Sequence, residues 1–171
     1  MKIGVLAVQG AFIEHEHIIE KIGHEVVEIR QRKDLDGIDG IILPGGESTV
    51  QGQLLRKLDM LATIKSLIAD GLPTLATCAG LILLAGHIDN DDSVHIGTLP
   101  VTVKRNAYGR QLGSFVRTAP MKGFDEFPMI FIRAPYISSI KDNVDVLAAV
   151  NDRIVAVQYN CLLYTSPSPR D

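Results

Sequence analysis

Short apolar runs, each cut off by a turn rich in glycine, alternate with longer amphipathic runs through the amino-terminal half of the chain. A short apolar run without polar alternation is a strand buried on both faces, and such strands need crossovers that cover them. Lys2–Val8 reads as the first such strand, stopped by Gly10. Ala11–Ile22 follows with Phe12, Ile18, Ile19 and Ile22 on one helical stripe, closed by Gly23. Glu25–Ile29 is a second strand, Asp34–Gly40 a polar link, and Ile41–Leu43 a third strand cut by Pro44-Gly45-Gly46. Ser48 is a candidate cap for one long helix to about Ala69, with Leu54, Leu55, Leu58, Leu61, Ile64 and Ile68 as its apolar face. Gly71 ends it, Leu72–Thr77 is a fourth strand, and Cys78–Ala85 is a helix that starts at once. This order predicts an α/β fold of three layers, α/β/α, with a mostly parallel sheet of flavodoxin-like type.

After Gly86 the texture changes. His87–Gly97 reads as a polar loop. Thr98–Lys104, Ser114–Thr118, Met129–Ile132, Val144–Val150 and Arg153–Val157 are short strand candidates with little helix between them, which predicts an antiparallel extension of the sheet. The tail differs again: Tyr164-Thr165-Ser166-Pro167-Ser168-Pro169-Arg170-Asp171 holds two prolines that bar a central strand or a helix there.

The 171 residues suffice for one domain with a core of its own. At 46% hydrophobic and 22% charged the chain is an ordinary globular one rather than a disordered one. No apolar run reaches the ~20 residues of a membrane span, so no membrane partner is expected. A formal net charge of −3, no Trp and 5% aromatics give no footprint for nucleic acid. Two cysteines, Cys78 and Cys161, make no disulfide framework, and a reducing cytoplasm is the expected address.

Ligands in open α/β sheets bind outside the carboxyl ends of the strands. Three of those ends are chemically unusual: Gln9-Gly10-Ala11, Pro44-Gly45-Gly46-Glu47-Ser48-Thr49 and Thr77-Cys78-Ala79-Gly80. A cysteine between strand and helix, flanked by small residues, fits the sharp turn of a nucleophile elbow. The helix start then favours thiolate, and the Ala79 amide points at the same spot. The plainer alternative is a small buried hydrophobe, which is what most free cysteines are. Two successive glycines at the neighbouring strand end can aim N–H groups into the crevice, as an oxyanion needs.

A cysteine nucleophile of this kind wants a histidine base. None of His15, His17, His24, His87 and His95 follows a late strand, and each reads as solvated surface. No His-Glu-x-x-His is present, and no metal is expected. Arg105 and Arg133 each follow a strand candidate and could clamp a carboxylate, but composition alone does not select them.

Gly4-Val5-Leu6-Ala7-Val8-Gln9-Gly10-Ala11-Phe12, Leu43-Pro44-Gly45-Gly46-Glu47-Ser48-Thr49, Thr77-Cys78-Ala79-Gly80-Leu81, Arg105-Asn106-Ala107-Tyr108-Gly109-Arg110-Gln111 and Phe131-Ile132-Arg133-Ala134-Pro135 together resemble the glutaminase subunits of pyridoxal 5′-phosphate synthase. These are triad-type glutamine amidotransferases of class I. The match runs in order from residue 3 to about residue 160, which sets the expected domain at 1–160. The resemblance implies hydrolysis of L-glutamine to L-glutamate and ammonia. Cys78 would attack the side-chain amide, and the Gly46 and Ala79 amides would hold the oxyanion, with the Gln9-Gly10 turn rearranging to help. Gly46, Glu47, Ser48, Arg105, Ile132 and Arg133 match glutamine-binding positions. It implies no cofactor. Its partner is a separate (β/α)8 synthase subunit that makes pyridoxal phosphate for vitamin B6, and the helix carrying Glu14, His15 and Glu16 would lie near it.

The chain departs from this pattern at its end. The family continues past the position of Asn160 with a strand and then Phe-His-Pro-Glu, which supplies the base and its orienting carboxylate, and then a helix. Here those two positions fall on Ser168 and Arg170. Serine is no base at neutral pH, and an arginine cannot orient an imidazole as a carboxylate does. Residues 161–171 therefore read as a non-matching tail, disordered or foreign. A chain impaired in turnover is expected, with a non-catalytic subunit that binds glutamine or the synthase as the alternative. Another cysteine hydrolase on this scaffold would need a histidine from a different loop, and the sequence offers no candidate.

Overall fold

A computed structural model describes residues 1–105, 115–131, 134–160 and 162–165. Its strands are β1 (Lys2–Leu6), β2 (Glu25–Ile29), β3 (Gly40–Leu43), β4 (Thr74–Thr77), β5 (Ala85–Ile88), β6 (Leu99–Lys104), β7 (Phe115–Met121), β8 (Phe124–Phe131), β9 (Tyr136–Ile140), β10 (Asp145–Val150), β11 (Arg153–Tyr159) and β12 (Leu162–Thr165). The helices are α1 (Ile13–Lys21), α2 (Ser48–Lys57), α3 (Leu61–Ala69) and α4 (Ala79–Leu84), with a 3-10 turn at Arg32–Leu35.

One ten-stranded sheet runs β2-β1-β3-β4-β12-β11-β9-β6-β5, with β10 paired to β11, and β7-β8 forms a separate ribbon. The segment β2 to β12 is parallel, and β11 with its neighbours β12, β9 and β10 is antiparallel. The expected mixed α/β sheet is the one observed. β1, β3 and β4 lie side by side and point the same way, so the three unusual turns open at one end of the sheet. The main core joins Leu6, Ile41, Leu43, Leu55, Ile64 and Leu81 across the sheet and its helices.

Several expectations are corrected here. The helix expected from Ser48 to Ala69 is two. α2 ends where Asp59 turns left-handed at φ +55°, and the Asp59 and Met60 amides bond back to the Arg56 and Leu55 carbonyls. That is a Schellman stop, completed by contact-competent Met60 and Leu55, both fully buried. Ser48 caps nothing: Glu47 is the N-cap residue, no side-chain bond caps the helix, and Ser48 is buried inside its first turn.

The polar loop expected from His87 begins later, because Ala85–Ile88 pairs in parallel with β6. β9 had no sequence signal, since Tyr136-Ile137-Ser138-Ser139-Ile140 alternates poorly. β8 is longer than expected and carries Pro128, which a two-stranded ribbon tolerates at an edge. The expected tail of 161–171 also contributes to the sheet: Leu162–Thr165 lies between β4 and β11, with Thr165 opposite Thr77.

Candidate active site

The elbow begins with β4, whose Thr77 is buried at the strand end. The next residue, Cys78, has φ +48° and ψ −103°, a conformation that L-residues adopt only under constraint. Gly80 explains how the turn can be so tight, because a Cβ at that position would run into the Leu43 carbonyl. α4 therefore packs directly on the end of β3. The sharp strand–helix turn expected at Cys78 is the one observed.

The second turn faces it. A Cβ built on Gly45 would lie 3.5 Å from the Cys78 Cβ, so the diglycine corner and the thiol-bearing residue are in van der Waals range. Gly46 sits at φ +153°, and a Cβ there would be 2.6 Å from Gln9 Oε1 and 2.9 Å from Gly10 Cα. Only glycine fits between the two turns.

The first turn is bonded to the second. The Glu47 amide donates to Gln9 Oε1 at 2.9 Å, and the Ala11 amide to the Gly45 carbonyl at 3.0 Å. Gln51 Nε2 donates to the Gln9 carbonyl at 2.9 Å and to the Pro44 carbonyl at 3.3 Å. Gln51 is fully buried and was missed by the sequence reading. Its signal was a polar residue inside the stripe that continues through Leu55 and Leu58.

The structure thus brings together Gln9, Gly10, Gly46, Glu47, Cys78 and Ala79. Arg105 stands at the same lip: its NH1 is 3.4 Å from Thr49 Oγ1 and 3.3 Å from Asp91 Oδ2. Its Nε and NH2 are buried without a hydrogen-bond partner. Ser48 is in place but buried. Ile132, Arg133, Ser168 and Arg170 lie outside the described residues, as does Cys161.

Two electrostatic expectations are corrected. Burial pushes the Cys78 thiol up, the Ala79 amide bonded to the sulfur pulls it down by less, and Glu47 adds to the rise. The resting group is a thiol, because desolvation outweighs one amide at the start of a short helix. The histidines are not all solvated either. His15 is 5% exposed, with Nε2 3.3 Å from Thr77 Oγ1 beneath the elbow. Burial lowers its pKa to about 4, against a small opposing effect of Glu14. His95 is 8% exposed and packs on α2. Among the described residues no cluster of His, Cys, Asp and Glu could hold a metal ion.

A strained cysteine at the carboxyl end of a parallel strand, met by glycine-rich turns from two neighbouring strands, marks an α/β protein with its crevice at the strand ends. A solved structure described as a glutamine amidotransferase superposes with TM-score 0.93 at 37% identity, covering 98% of this chain and 89% of that one. PurLQS from Thermotoga maritima shares the fold at TM-score 0.73 and 17% identity, over 98% of this chain and 86% of that one. The pyridoxal 5′-phosphate synthase subunit PdxT of Desulfitobacterium hafniense is 57% identical over 160 residues, 93% of this chain and 80% of the relative. That of Haemophilus influenzae is 53% identical over 173 aligned positions, 99% of this chain and 90% of the relative. The family model for SNO glutamine amidotransferases matches residues 5–170, and the chain belongs to the SNO glutamine amidotransferase family.

Proposed function

We propose that this chain is the glutaminase subunit of a pyridoxal 5′-phosphate synthase. Its reaction is L-glutamine plus water to L-glutamate plus ammonia, with ammonia passed to a (β/α)8 synthase subunit for vitamin B6 synthesis. The observation that carries the reading is the strained Cys78 set against the Gly45-Gly46 corner. The PdxT names of relatives at 53–57% identity point to the same reaction and partner.

In this reading Cys78 Sγ attacks the side-chain amide carbon of glutamine. The oxygen becomes an oxyanion, and in this reading the Gly46 and Ala79 amides are its donors. Ammonia leaves with the thiol's proton, and water then hydrolyses the thioester to glutamate. The Gln9 side chain now accepts the Glu47 N–H, so opening the lip requires that bond to break and the Gln9-Gly10 turn to shift. Glu47, Ser48, Arg105, Ile132 and Arg133 hold the amino-acid end of the substrate, the arginines through its carboxylate.

The thiol needs a base, and burial makes that need greater. β12 ends level with the elbow, because Thr165 is the register partner of Thr77. The residues that follow it in sequence include Ser168 and Arg170, neither of which can take a proton from sulfur at neutral pH. β12 belongs to the sheet and the family model matches as far as residue 170, so the departure in this account lies at the two positions that fall on Ser168 and Arg170. Without the base, turnover falls by roughly 10²–10⁴-fold.

The test is an ammonia assay with the synthase subunit present, run beside calorimetric binding to that subunit. The chain is expected to bind the synthase and release ammonia at a rate lower by about that factor than an intact relative. The double variant Ser168→His, Arg170→Glu is expected to recover turnover, and Cys78→Ala to abolish it. Ammonia release by the unaltered chain at the rate of the relative contradicts the missing base. Release that survives Cys78→Ala contradicts the nucleophile.

A further inference from the structure

Three hydrogen bonds close the Gln9-Gly10-Ala11 turn onto the diglycine corner. Two are made by the turns themselves: the Glu47 amide donates to Gln9 Oε1 at 2.9 Å, and the Ala11 amide to the Gly45 carbonyl at 3.0 Å. The third comes from outside both turns, from Gln51 Nε2 to the Gln9 carbonyl at 2.9 Å. The same nitrogen stands 3.3 Å from the Pro44 carbonyl, at the root of the corner. Both partners are carbonyl oxygens, so the nitrogen of the side-chain amide and not its oxygen must face them.

Helix α2 fixes this donor in place. The Gln51 backbone amide donates to the Glu47 carbonyl in the first turn, and the side chain is fully buried. A Cβ at Gly10 would lie 3.2 Å from Nε2 and one at Gly46 3.1 Å from it, so the side-chain amide is wedged between the two turns. Its two grips differ. Pro44 is buried, whereas Gln9 is half-buried and Gly10 and Ala11 are exposed. Water can replace the donor at the Gln9 carbonyl and cannot do so at Pro44, so the Gln9 side is the one that can let go. Gln51 Oε1 is buried and meets no donor, an unmet demand that offsets part of what Nε2 contributes and keeps the grip weak.

We infer that Gln51 is a positioning residue that latches the Gln9-Gly10 turn over the crevice. It keeps hold of Pro44 when the turn lifts, so the diglycine corner stays against Cys78. The inference rests on the glutamine reading above, in which the lip must open before the side-chain amide of the substrate reaches the thiol.

The experiment uses the full chain and two readouts. One is the rate at which the chloroketone analogue of L-glutamine alkylates Cys78 at alkaline pH, and the other is backbone amide hydrogen exchange. Gln51→Met keeps the shape of the side chain and removes the donor. It is expected to speed alkylation about fivefold, the effect of one lost hydrogen bond on the open population, with protection by L-glutamine retained. Exchange at Glu47 and Ala11 is expected to rise while that of β3 stays unchanged. A merely structural glutamine would loosen β3 along with the turns. Equal or slower alkylation, or equal loosening of β3, overturns the inference while the glutamine reading stands. If Gln51→Met does not fold, judged by circular dichroism, NMR of the unaltered chain decides. The Gln51 side-chain amide resonances are expected to shift when the Cys78 adduct forms, and unchanged resonances overturn the latch. Alkylation of the unaltered chain that is indifferent to L-glutamine overturns both.

Discussion

Cys78 shows how much of a site a single position can carry and how little of its ionisation a sequence reveals. Its place between β4 and α4 was legible because only small residues flank it. Its protonation was not, because burial depends on elements distant in sequence. Gly80 makes the complementary point: Gly80→Ala is expected to cost about 1–3 kcal/mol by forcing α4 off the Leu43 carbonyl, read from urea unfolding. His15 gives a pH dependence. Its folded pKa is about 4 against an ordinary 6.5, so on acidification the unfolded chain takes the proton first. Stability is therefore complete above 6.5 and falls as pH drops towards 4. From pH 7 to about pH 4.5 this one group is expected to account for about 2–3 kcal/mol of lost stability. Urea titrations at both values should show the loss shrink by that amount in His15→Asn. An unchanged loss would mean that His15 already titrates normally.

At the scale of elements, the parallel half was legible and the antiparallel half much less so. β1, β3 and β4 are buried on both faces, so their apolar runs stand out and glycines mark their ends. β5 and β9 hold glycine and serine among their few residues and are stabilised by pairing with β6. No local pattern announces such strands. The break between α2 and α3 escaped notice because Asp59, not glycine, takes the left-handed position. Asp59→Gly is expected to raise stability by roughly 0.5–1 kcal/mol, since the exposed pair it gives up with Arg32 contributes little. A shift in the urea midpoint with unchanged slope measures it, and a downward shift would show the ion pair to matter more than the backbone.

Over the whole molecule, the sheet order turns three separate motifs into one crevice. Adjacent parallel β1, β3 and β4 bring Gln9-Gly10, Gly45-Gly46 and Cys78 to a single edge. The motifs could be read from sequence one by one. Their bonding through Gln51, and the cluster of Arg56, His95 and Arg105 on α2, could not, because each joins residues about forty to fifty apart or more in chain order. Among the described residues no helix is long and apolar enough to cross a membrane. The most direct test of the account is peptide mapping after alkylation with the chloroketone analogue of L-glutamine at alkaline pH, which enlarges the ionised share of a raised thiol. The account predicts one adduct, on Cys78, slowed by L-glutamine and not by D-glutamine. Modification spread equally to Cys161, or indifferent to L-glutamine, would contradict it.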